Sequence, residues 1–214
     1  MIWRSRVVAD STDRPAWLLA RRSLVTGSEA AALIGEHAYT DWPAVLAEKN
    51  TGISDFDESQ DHVVQGICAE SFIAEYLKRS RGLQTVPCGL LVRDPVEPRL
   101  AATPDYLTCD GSVNVQLKMT QAKRGEEGVV TAGAKKASKW GPSLPSYIYV
   151  QVQVEMAVMD LNESLVVAYH RWDVPRWGTP GDQLGVYRVP RNQGMVDRIR
   201  SAVSKLPPFG PGAA

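Results

Sequence analysis

Apolar residues recur every three to four positions in several segments, which is the spacing of one face of an α-helix. This spacing predicts helices over residues 13–22, 25–35, 42–50, 62–79 and 192–206. The second of them can begin at Thr26 or Ser28, which both suit the N-cap position, and Gly35 follows as a helix stop. Helices are therefore expected mainly in the first 80 residues and near the C-terminal end.

One charged residue breaks the pattern of the segment 62–79. On a helix, Glu70 falls on the apolar stripe that also carries Val63, Ile67, Ala74 and Leu77. A carboxylate directed into a core is costly unless it is paired or binds a metal ion. Two interpretations stay open: Glu70 belongs to a functional site, or it lies at the boundary of the stripe and reaches solvent.

The stretch from Thr103 to Lys118 predicts a β-hairpin. Asp110-Gly111 is a turn signal, and from Val113 onwards apolar and polar residues alternate, as in a strand with one buried face. The polar row of this strand consists of Asn114, Gln116 and Lys118. A hairpin brings Asp105 beside that row, so a carboxylate, a second oxygen donor and a lysine converge on one point. The alternative is a surface hairpin whose polar row faces water.

Further strands are predicted over residues 84–92, 99–103, 165–169 and 185–189. The segment 146–160 fits two structures, because alternation at 150–154 favours a strand whereas its length favours a helix. On a helix, Tyr147, Gln151 and Glu155 share one face. Polar groups in so apolar an element usually have an assigned partner.

Composition indicates an ordinary globular protein of 214 residues, with 44% hydrophobic and 22% charged residues. One domain is expected over residues 1–206, with a flexible tail over 207–214. Three scattered cysteines argue against a disulfide framework and a four-cysteine metal site, which favours a reducing cytoplasm. No apolar run suggests a membrane span, and the N-terminus lacks the apolar core of a signal peptide.

Positive charge is concentrated locally, because 24 basic residues are balanced by 24 acidic ones overall. A basic run after the hairpin carries Lys123, Arg124, Lys135, Lys136 and Lys139. Such a run is either a solvated loop or a contact for a phosphate backbone. Arg21 offers a second phosphate candidate near the start of the helix 25–35, although its position also suits the dipole of its own helix.

Five short motifs follow one another along the chain. They are Trp17-x3-Arg21-x3-Val25-Thr-Gly-Ser28, Gly66-x3-Glu70, Ala102-Thr-Pro-Asp105, Gln116-Leu-Lys118 and Tyr149-Val-Gln151-Val-Gln153. Their order and spacing resemble the lambda exonuclease and YqaJ-like viral recombinase family, a branch of the PD-(D/E)XK nucleases. The resemblance covers roughly residues 17–171. Gly27 stands where the family usually has alanine.

The resemblance implies an α/β fold of the restriction-endonuclease type, with a mixed β-sheet flanked by helices in a single domain. It implies a Mg²⁺-dependent exonuclease, with two ions and Mn²⁺ as a substitute, that degrades the 5′ strand of double-stranded DNA ends. The 3′ overhang would serve a single-strand annealing protein in phage-type homologous recombination, in the host cytoplasm if a bacteriophage encodes the protein. Members of the family form homotrimeric rings.

The resemblance also assigns roles to individual residues. Glu70, Asp105, Gln116 and the carbonyl of Leu117 would surround the metal ions. Lys118 and Gln151 would hold the attacking water and the scissile phosphate, Arg21 and Ser28 would receive the 5′-phosphate, and the basic run would contact the DNA backbone.

Position 116 departs from the family pattern, because it carries Gln where a carboxylate is expected. The amide oxygen can contact a metal ion but brings no negative charge. The enzyme is then weakened or inactivated by a natural or introduced substitution, or the chain is a non-catalytic protein that binds DNA ends. A Cas4-like nuclease of the same fold is disfavoured because those enzymes typically carry a four-cysteine iron–sulfur site.

Overall fold

In the computed structural model, which describes residues 2–53, 60–135, 139–170 and 183–211, the chain forms six α-helices after a short 3-10 helix, Ile2–Arg6. The helices are α1 (Arg14–Arg21), α2 (Gly27–Leu33), α3 (Trp42–Thr51), α4 (Asp61–Arg81), α5 (Ser146–Met159) and α6 (Gln193–Ser204). Each of the five predicted helices is present, and the ambiguous segment 146–160 forms a sixth. None of the helices in the described ranges is long and apolar enough to cross a membrane.

The strands fall into two main sheets and two short pairs. They are β1 (Val7–Asp10), β2 (Val25–Thr26), β3 (Thr85–Pro87), β4 (Leu90–Arg93), β5 (Leu100–Ala102), β6 (Tyr106–Thr108), β7 (Asn114–Thr120), β8 (Lys123–Arg124), β9 (Gly128–Val129), β10 (Ala132–Ala134), β11 (Lys139–Trp140), β12 (Ser143–Pro145), β13 (Glu163–His170) and β14 (Leu184–Pro190). The strand predicted over 84–92 is divided into β3 and β4, because Gly89 between them adopts a left-handed φ of 62°.

The larger sheet is mixed and has the order β3-β6-β7-β13-β14-β9. Its centre is the parallel pair of β7 and β13, and β6 runs antiparallel to β7 as the other arm of the predicted hairpin. The smaller sheet has the order β1-β4-β5-β2. This is the predicted α/β architecture of a mixed sheet flanked by helices.

Helix α5 lies between the two sheets and contacts β4 and β5 on one side and β7 and β13 on the other. Twelve of its 14 residues are buried. A helix buried all round shows no apolar stripe, and for that reason its sequence periodicity did not separate it from a strand.

Helix α4 covers the opposite face of β7, where Ile73 and Leu77 pack against Val115 and Leu117. The predicted apolar stripe of this helix is wrong in its first half, because the Ile67 side chain is 59% exposed. The described contacts of this helix with the apolar cluster begin at Ala69.

The segment 207–214, for which the sequence predicts a flexible tail, is described up to residue 211. In it, Phe209 is 8% exposed and stacks edge-on against Trp42 at 5.7 Å between ring centroids. The amide of Gly210 donates a hydrogen bond of 3.1 Å to Oδ1 of Asn50. These contacts pack Phe209 and Gly210 against α3 rather than leaving them free.

Candidate active site

The hairpin of β6 and β7 brings Asp105 to Gln116. Tyr106 pairs with Val115 in the ladder, which places Asp105, the residue before β6, level with Gln116. The Gln116 side-chain amide donates a hydrogen bond to Oδ2 of Asp105, and the Leu117 backbone N–H donates a second one of 3.3 Å to the same oxygen. The hairpin therefore brings Asp105 and Gln116 together as predicted.

The polar row of β7 faces the interior. Asn114 and Gln116 are both 0% exposed, so the alternative of a hairpin with its polar row in water is wrong for these two residues. The reason is that β7 is a central strand, with α4 on one face and α5 on the other. Buried amides of this kind require hydrogen-bond partners, and α5 supplies them.

Two residues of α5 one helical turn apart complete the polar centre. The Gln151 side-chain amide donates to Oε1 of Gln116 at 2.9 Å and to Oε1 of Glu155 at 2.8 Å. The Asn114 amide donates to Oε2 of Glu155 at 2.7 Å. A continuous row of hydrogen bonds thus runs from Asp105 through Gln116 and Gln151 to Glu155.

The carboxyl groups of this centre have raised pKa values. Burial and the repulsion of Asp105 raise the pKa of Glu70 to about 7, although Lys118 opposes the shift. Burial also raises the pKa of Asp105, against the opposing effects of Lys118 and the Leu117 N–H. Burial and Asp105 raise the pKa of Glu155 to about 8. The acidic groups outweigh the one lysine, so the site would favour a further positive charge.

Glu70 is half-buried on α4, between the buried and the solvent-exposed positions that its two interpretations predict. The charges of Asp105 and Lys118 act on its carboxyl group in opposite directions. A role of Glu70 at a metal ion stays a prediction.

The second predicted cluster, around Arg21, is built on partly buried ion pairs. The Arg21 guanidinium lies 4.3 Å from the centroid of the Trp17 ring and 3.6 Å from Oε1 of Glu29. The Lys49 ammonium, which is 5% exposed, lies 2.8 Å from Oε2 of Glu29 and donates to the Arg21 carbonyl at 3.0 Å. Burial alone would raise the pKa of Glu29, but Lys49 and Arg21 together lower it. Glu29 is thus an ionised anchor that orients Arg21.

The N-terminus of α2 contributes less to anion binding than its sequence suggests. The helix has seven residues, and Thr26 and Glu29 form a capping box in which the Thr26 N–H donates to Glu29 at 2.7 Å. Ser28 is exposed in the first turn. Binding of a phosphate here would therefore depend on Arg21 and Ser28 more than on the helix dipole.

One cavity of about 220 Å³ joins the two clusters. Its lining consists of Trp17, Arg21, Thr26, Gly27, Ser28, Ala102, Thr103, Asp105, Gln151 and Glu155. Residues predicted to bind a terminal phosphate thus share a cavity with residues predicted to act at a metal ion. Thr103 also accepts a hydrogen bond of 3.0 Å from the Trp17 indole, which ties the strand before Asp105 to α1.

The donor set suits a hard divalent cation, although no group of three or more His, Cys, Asp or Glu side chains within the described ranges forms a ready metal centre. Asp105, Glu70 and the Gln116 carbonyl would offer oxygen ligands, which Mg²⁺ and Mn²⁺ prefer. The amide at 116 removes one carboxylate from the place where the family pattern has it. The residues therefore fit such an ion with fewer charged ligands than the motif would provide.

The basic run forms short strands instead of an open loop. β8 and β11 pair in parallel, with Lys123 opposite Lys139. Both lysines and Lys135 are exposed, whereas Arg124 donates to the Leu184 carbonyl at 3.2 Å and lies 3.8 Å from Glu127. Like charges directly opposite each other are unfavourable, which suits a surface that binds an anion. Lys136 lies outside the described residues.

Comparison with known families agrees with the motif order. The sequence model of the YqaJ-like viral recombinase domain matches residues 16–162. The chain belongs to this family. Its match begins just before Trp17 and ends after α5, so it contains all of the residues that line the cavity. No protein of curated function matches the chain.

Solved structures of exonucleases share the fold. The alkaline exonuclease LHK-Exo from Laribacter hongkongensis superposes with a TM-score of 0.61 at 18% identity over 89% of each chain. The complex of LHK-Exo with dAMP gives a TM-score of 0.62 at 19% identity over 89% of each chain. A phage-related exonuclease from Haemophilus somnus 129PT gives 0.56 at 13% identity, covering 85% of this chain and 90% of the other.

Several residues of the centre were not assigned by sequence reasoning. The sequence places Glu155 on one face with Gln151 without indicating its role, and it shows Asn114 only as part of a polar row. Lys49 and Glu29 are 20 positions apart, and nothing in their spacing indicates that they pair. The available signal was chemical: a carboxylate within an almost wholly apolar helix requires a partner.

Proposed function

We propose that this protein is a Mg²⁺-dependent exonuclease that degrades the 5′ strand of double-stranded DNA ends, with Mn²⁺ as a substitute and two ions at the site. The observation that carries the proposal is that one cavity is lined by Arg21 and Ser28 together with Asp105 and Gln151. A 5′-phosphate held at the first pair would present the adjoining backbone to the second.

Different side chains would bind the terminal phosphate and the metal ions. Arg21, oriented by Glu29, would bind the terminal phosphate, and Ser28 would donate a hydrogen bond to it. Asp105 and Glu70, with the amide oxygen of Gln116 and the carbonyl of Leu117, would hold the ions.

Bound ions would lower the pKa of a water molecule and offset the charge of the phosphate under attack. Lys118 would hold a positive charge beside that phosphate, and Gln151 would donate a hydrogen bond to the water or the phosphate. Lys123, Lys135, Lys136 and Lys139, with Arg124, would contact the DNA backbone, which gives affinity without sequence preference.

The assembly belongs to the same proposal. A homotrimeric ring around DNA, with a 3′ overhang passed to a single-strand annealing protein, is what membership of the family suggests. Helix α4 exposes Val64, Ile67 and Phe72, which are 43%, 59% and 52% exposed. Apolar side chains on one helix are compatible with a contact between subunits.

The direct test is digestion of 5′-phosphorylated and 5′-hydroxyl duplex DNA with Mg²⁺, Mn²⁺ or EDTA, with a label on each strand to read the polarity. Asp105→Ala should abolish metal-dependent cleavage while binding to DNA ends in Ca²⁺ persists. Asp110→Asn, in the exposed turn of the same hairpin, is the matched control and should cleave normally. Cleavage by Asp105→Ala at the parental rate would contradict the assignment of the site.

The second candidate is a protein that binds DNA ends without cutting them. The neutral Gln116 amide, hydrogen-bonded to Asp105 in the place of a ligand carboxylate, is the observation that favours it. End binding by the parent chain with no cleavage in Mg²⁺ or Mn²⁺, and cleavage by Gln116→Glu, would select this candidate.

A further inference from the structure

The buried carboxylate of Glu155 has no role in the mechanism above. It is 1% exposed on α5, and its neighbours along the helix are mostly apolar. A buried carboxylate costs several kilocalories per mole unless its surroundings compensate it, so its presence in the cavity lining calls for a reason.

Hydrogen bonds connect Glu155 to Gln116 through Gln151. One oxygen accepts a hydrogen bond from Asn114 at 2.7 Å, and the other accepts one from Gln151 at 2.8 Å. The same Gln151 nitrogen donates to the side-chain oxygen of Gln116 at 2.9 Å, and the side-chain nitrogen of Gln116 donates to Asp105. Glu155 therefore fixes the orientation of Gln151 and, through it, of the amide that lies against Asp105.

Glu155 is also electrostatically part of the site. Burial raises its pKa most and Asp105 raises it further by repulsion, whereas Lys118 opposes the shift, so the charges of the hairpin act on the carboxyl group of α5. Asp105 and Glu155 line the same cavity. A cation bound at Asp105 would lower the pKa of Glu155 again, and the ionised Glu155 would in turn attract that cation.

We propose that Glu155 supplies the negative charge that position 116 lacks, and that it acts through Gln151 and Gln116 to strengthen cation binding at Asp105. It is a positioning residue rather than a ligand, because both of its oxygens already accept amide hydrogen bonds. The inference rests on the proposed function, since it concerns the same cation site. The acidic side chains would then number three, as in the family pattern, with one of them carried by α5 instead of β7.

The alternative is that Glu155 only joins α5 to β7. An anchor of that kind predicts a loss of thermal stability in Glu155→Gln with no change in cation affinity. It also predicts that the double exchange binds the cation as tightly as Gln116→Glu alone, because Glu155 would add nothing to the affinity. The two roles therefore differ in a measurement that needs no DNA.

The test is Mn²⁺ binding, followed by electron paramagnetic resonance on the free protein, for the four members of a cycle: the parent, Glu155→Gln, Gln116→Glu and the double exchange. Glu155→Gln should weaken Mn²⁺ binding roughly 10-fold or more, as loss of a supporting group at a metal site typically does. The double exchange should return the affinity to within about threefold of the parent, because the charge has only been moved. Glu75→Gln, an exposed exchange on α4, should leave Mn²⁺ binding unchanged.

Unchanged binding in Glu155→Gln, or a double exchange no tighter than Glu155→Gln, would overturn the inference while cleavage by the parent left the proposed function standing. A parent that neither binds Mn²⁺ nor cleaves DNA would overturn both. If Glu155→Gln does not fold, Glu155→Asp and the double exchange decide: affinity close to the parent in both supports the role, and affinity at least 10-fold weaker in both refutes it.

Discussion

We expect the exchange Gln116→Glu to lower the thermal stability of the protein when no divalent cation is present and to raise it when one is bound. Gln116 is fully buried, and its amide donates to Asp105. Glu is nearly isosteric, but it replaces the donated hydrogen with a second negative oxygen. Losing a hydrogen bond to a charged group costs about 1.5–3 kcal/mol. For a protein of this size each kcal/mol corresponds to about 2–4 °C, so the metal-free Tm should fall by about 3–12 °C.

A divalent cation should reverse this loss, because two facing carboxylates bind it better than a carboxylate and an amide do. A gain of about 10- to 100-fold in affinity is expected, with a faster rate of cleavage at low Mg²⁺. Thermal unfolding in EDTA and across a Mg²⁺ titration measures both effects, and cleavage of duplex DNA over the same titration measures the rate. Higher Mg²⁺ or Mn²⁺ should accordingly rescue the parent chain more than it rescues Gln116→Glu.

A matched control lies on α5. Gln153 is also 0% exposed, and its amide donates to the Pro190 carbonyl at 3.0 Å, outside the cavity. Gln153→Glu should therefore lose stability without recovering it in Mg²⁺. If Gln116→Glu keeps the metal-free Tm and the Mg²⁺ dependence of the parent, residue 116 does not act at a cation.

Three further predictions concern the groups around this centre. Arg21→Ala should erase any preference for 5′-phosphorylated over 5′-hydroxyl ends in the digestion assay, whereas Arg14→Ala, outside the cavity lining, should keep it. Lys49→Met should lower the free energy of unfolding by about 1–3 kcal/mol in denaturant titrations, because it leaves the partly buried carboxylate of Glu29 with one partner fewer; no measurable loss would contradict the anchoring role. The metal-free Tm should fall as pH rises from about 5 to 9, because a folded-state pKa of about 8 for Glu155 stabilises the protein below its unfolded value of 4.5 and that stability is lost as pH passes 8. The fall should be shallower in Glu155→Gln, and equal slopes would refute it.

Local sequence patterns predicted most of the helices and strands of the fold. The Asp-Gly turn and the alternation after Val113 predicted the hairpin, and the periodic segments predicted their helices, because each pattern records which side chains face the core of one element. Helix α5 could not be predicted in this way, since a helix that is buried on all sides has no contrast between an apolar and a polar face. The polar face of β7, for which contact with water was one of two alternatives, is buried for a related reason: alternation indicates one covered face, and α5 covers the other.

The sequence could predict only those contacts of the site whose residues lie close together along the chain or belong to the ordered motifs. Asp105 and Gln116 meet through a hairpin, and their distance follows from its register. Glu155 and Asn114 meet because α5 crosses β7 after a connection of some 25 residues, and no local pattern specifies that crossing. Pairings of this kind depend on tertiary packing.

The departure at position 116 has a different meaning in the motif alone and in the folded structure. Judged within the motif Gln116-Leu117-Lys118, the lost carboxylate suggests a weakened or inactive site. In the structure, however, the amide at 116 is not an isolated substitution, because its two hydrogen bonds connect Asp105 with Gln151 and thereby with Glu155. A neutral group between two buried carboxylates reduces their repulsion when no cation is bound, which three adjacent carboxylates could not do. Exchanging residues 116 and 155 together therefore tests more than either single change, since it asks whether the site depends on where its third negative charge lies or only on having one.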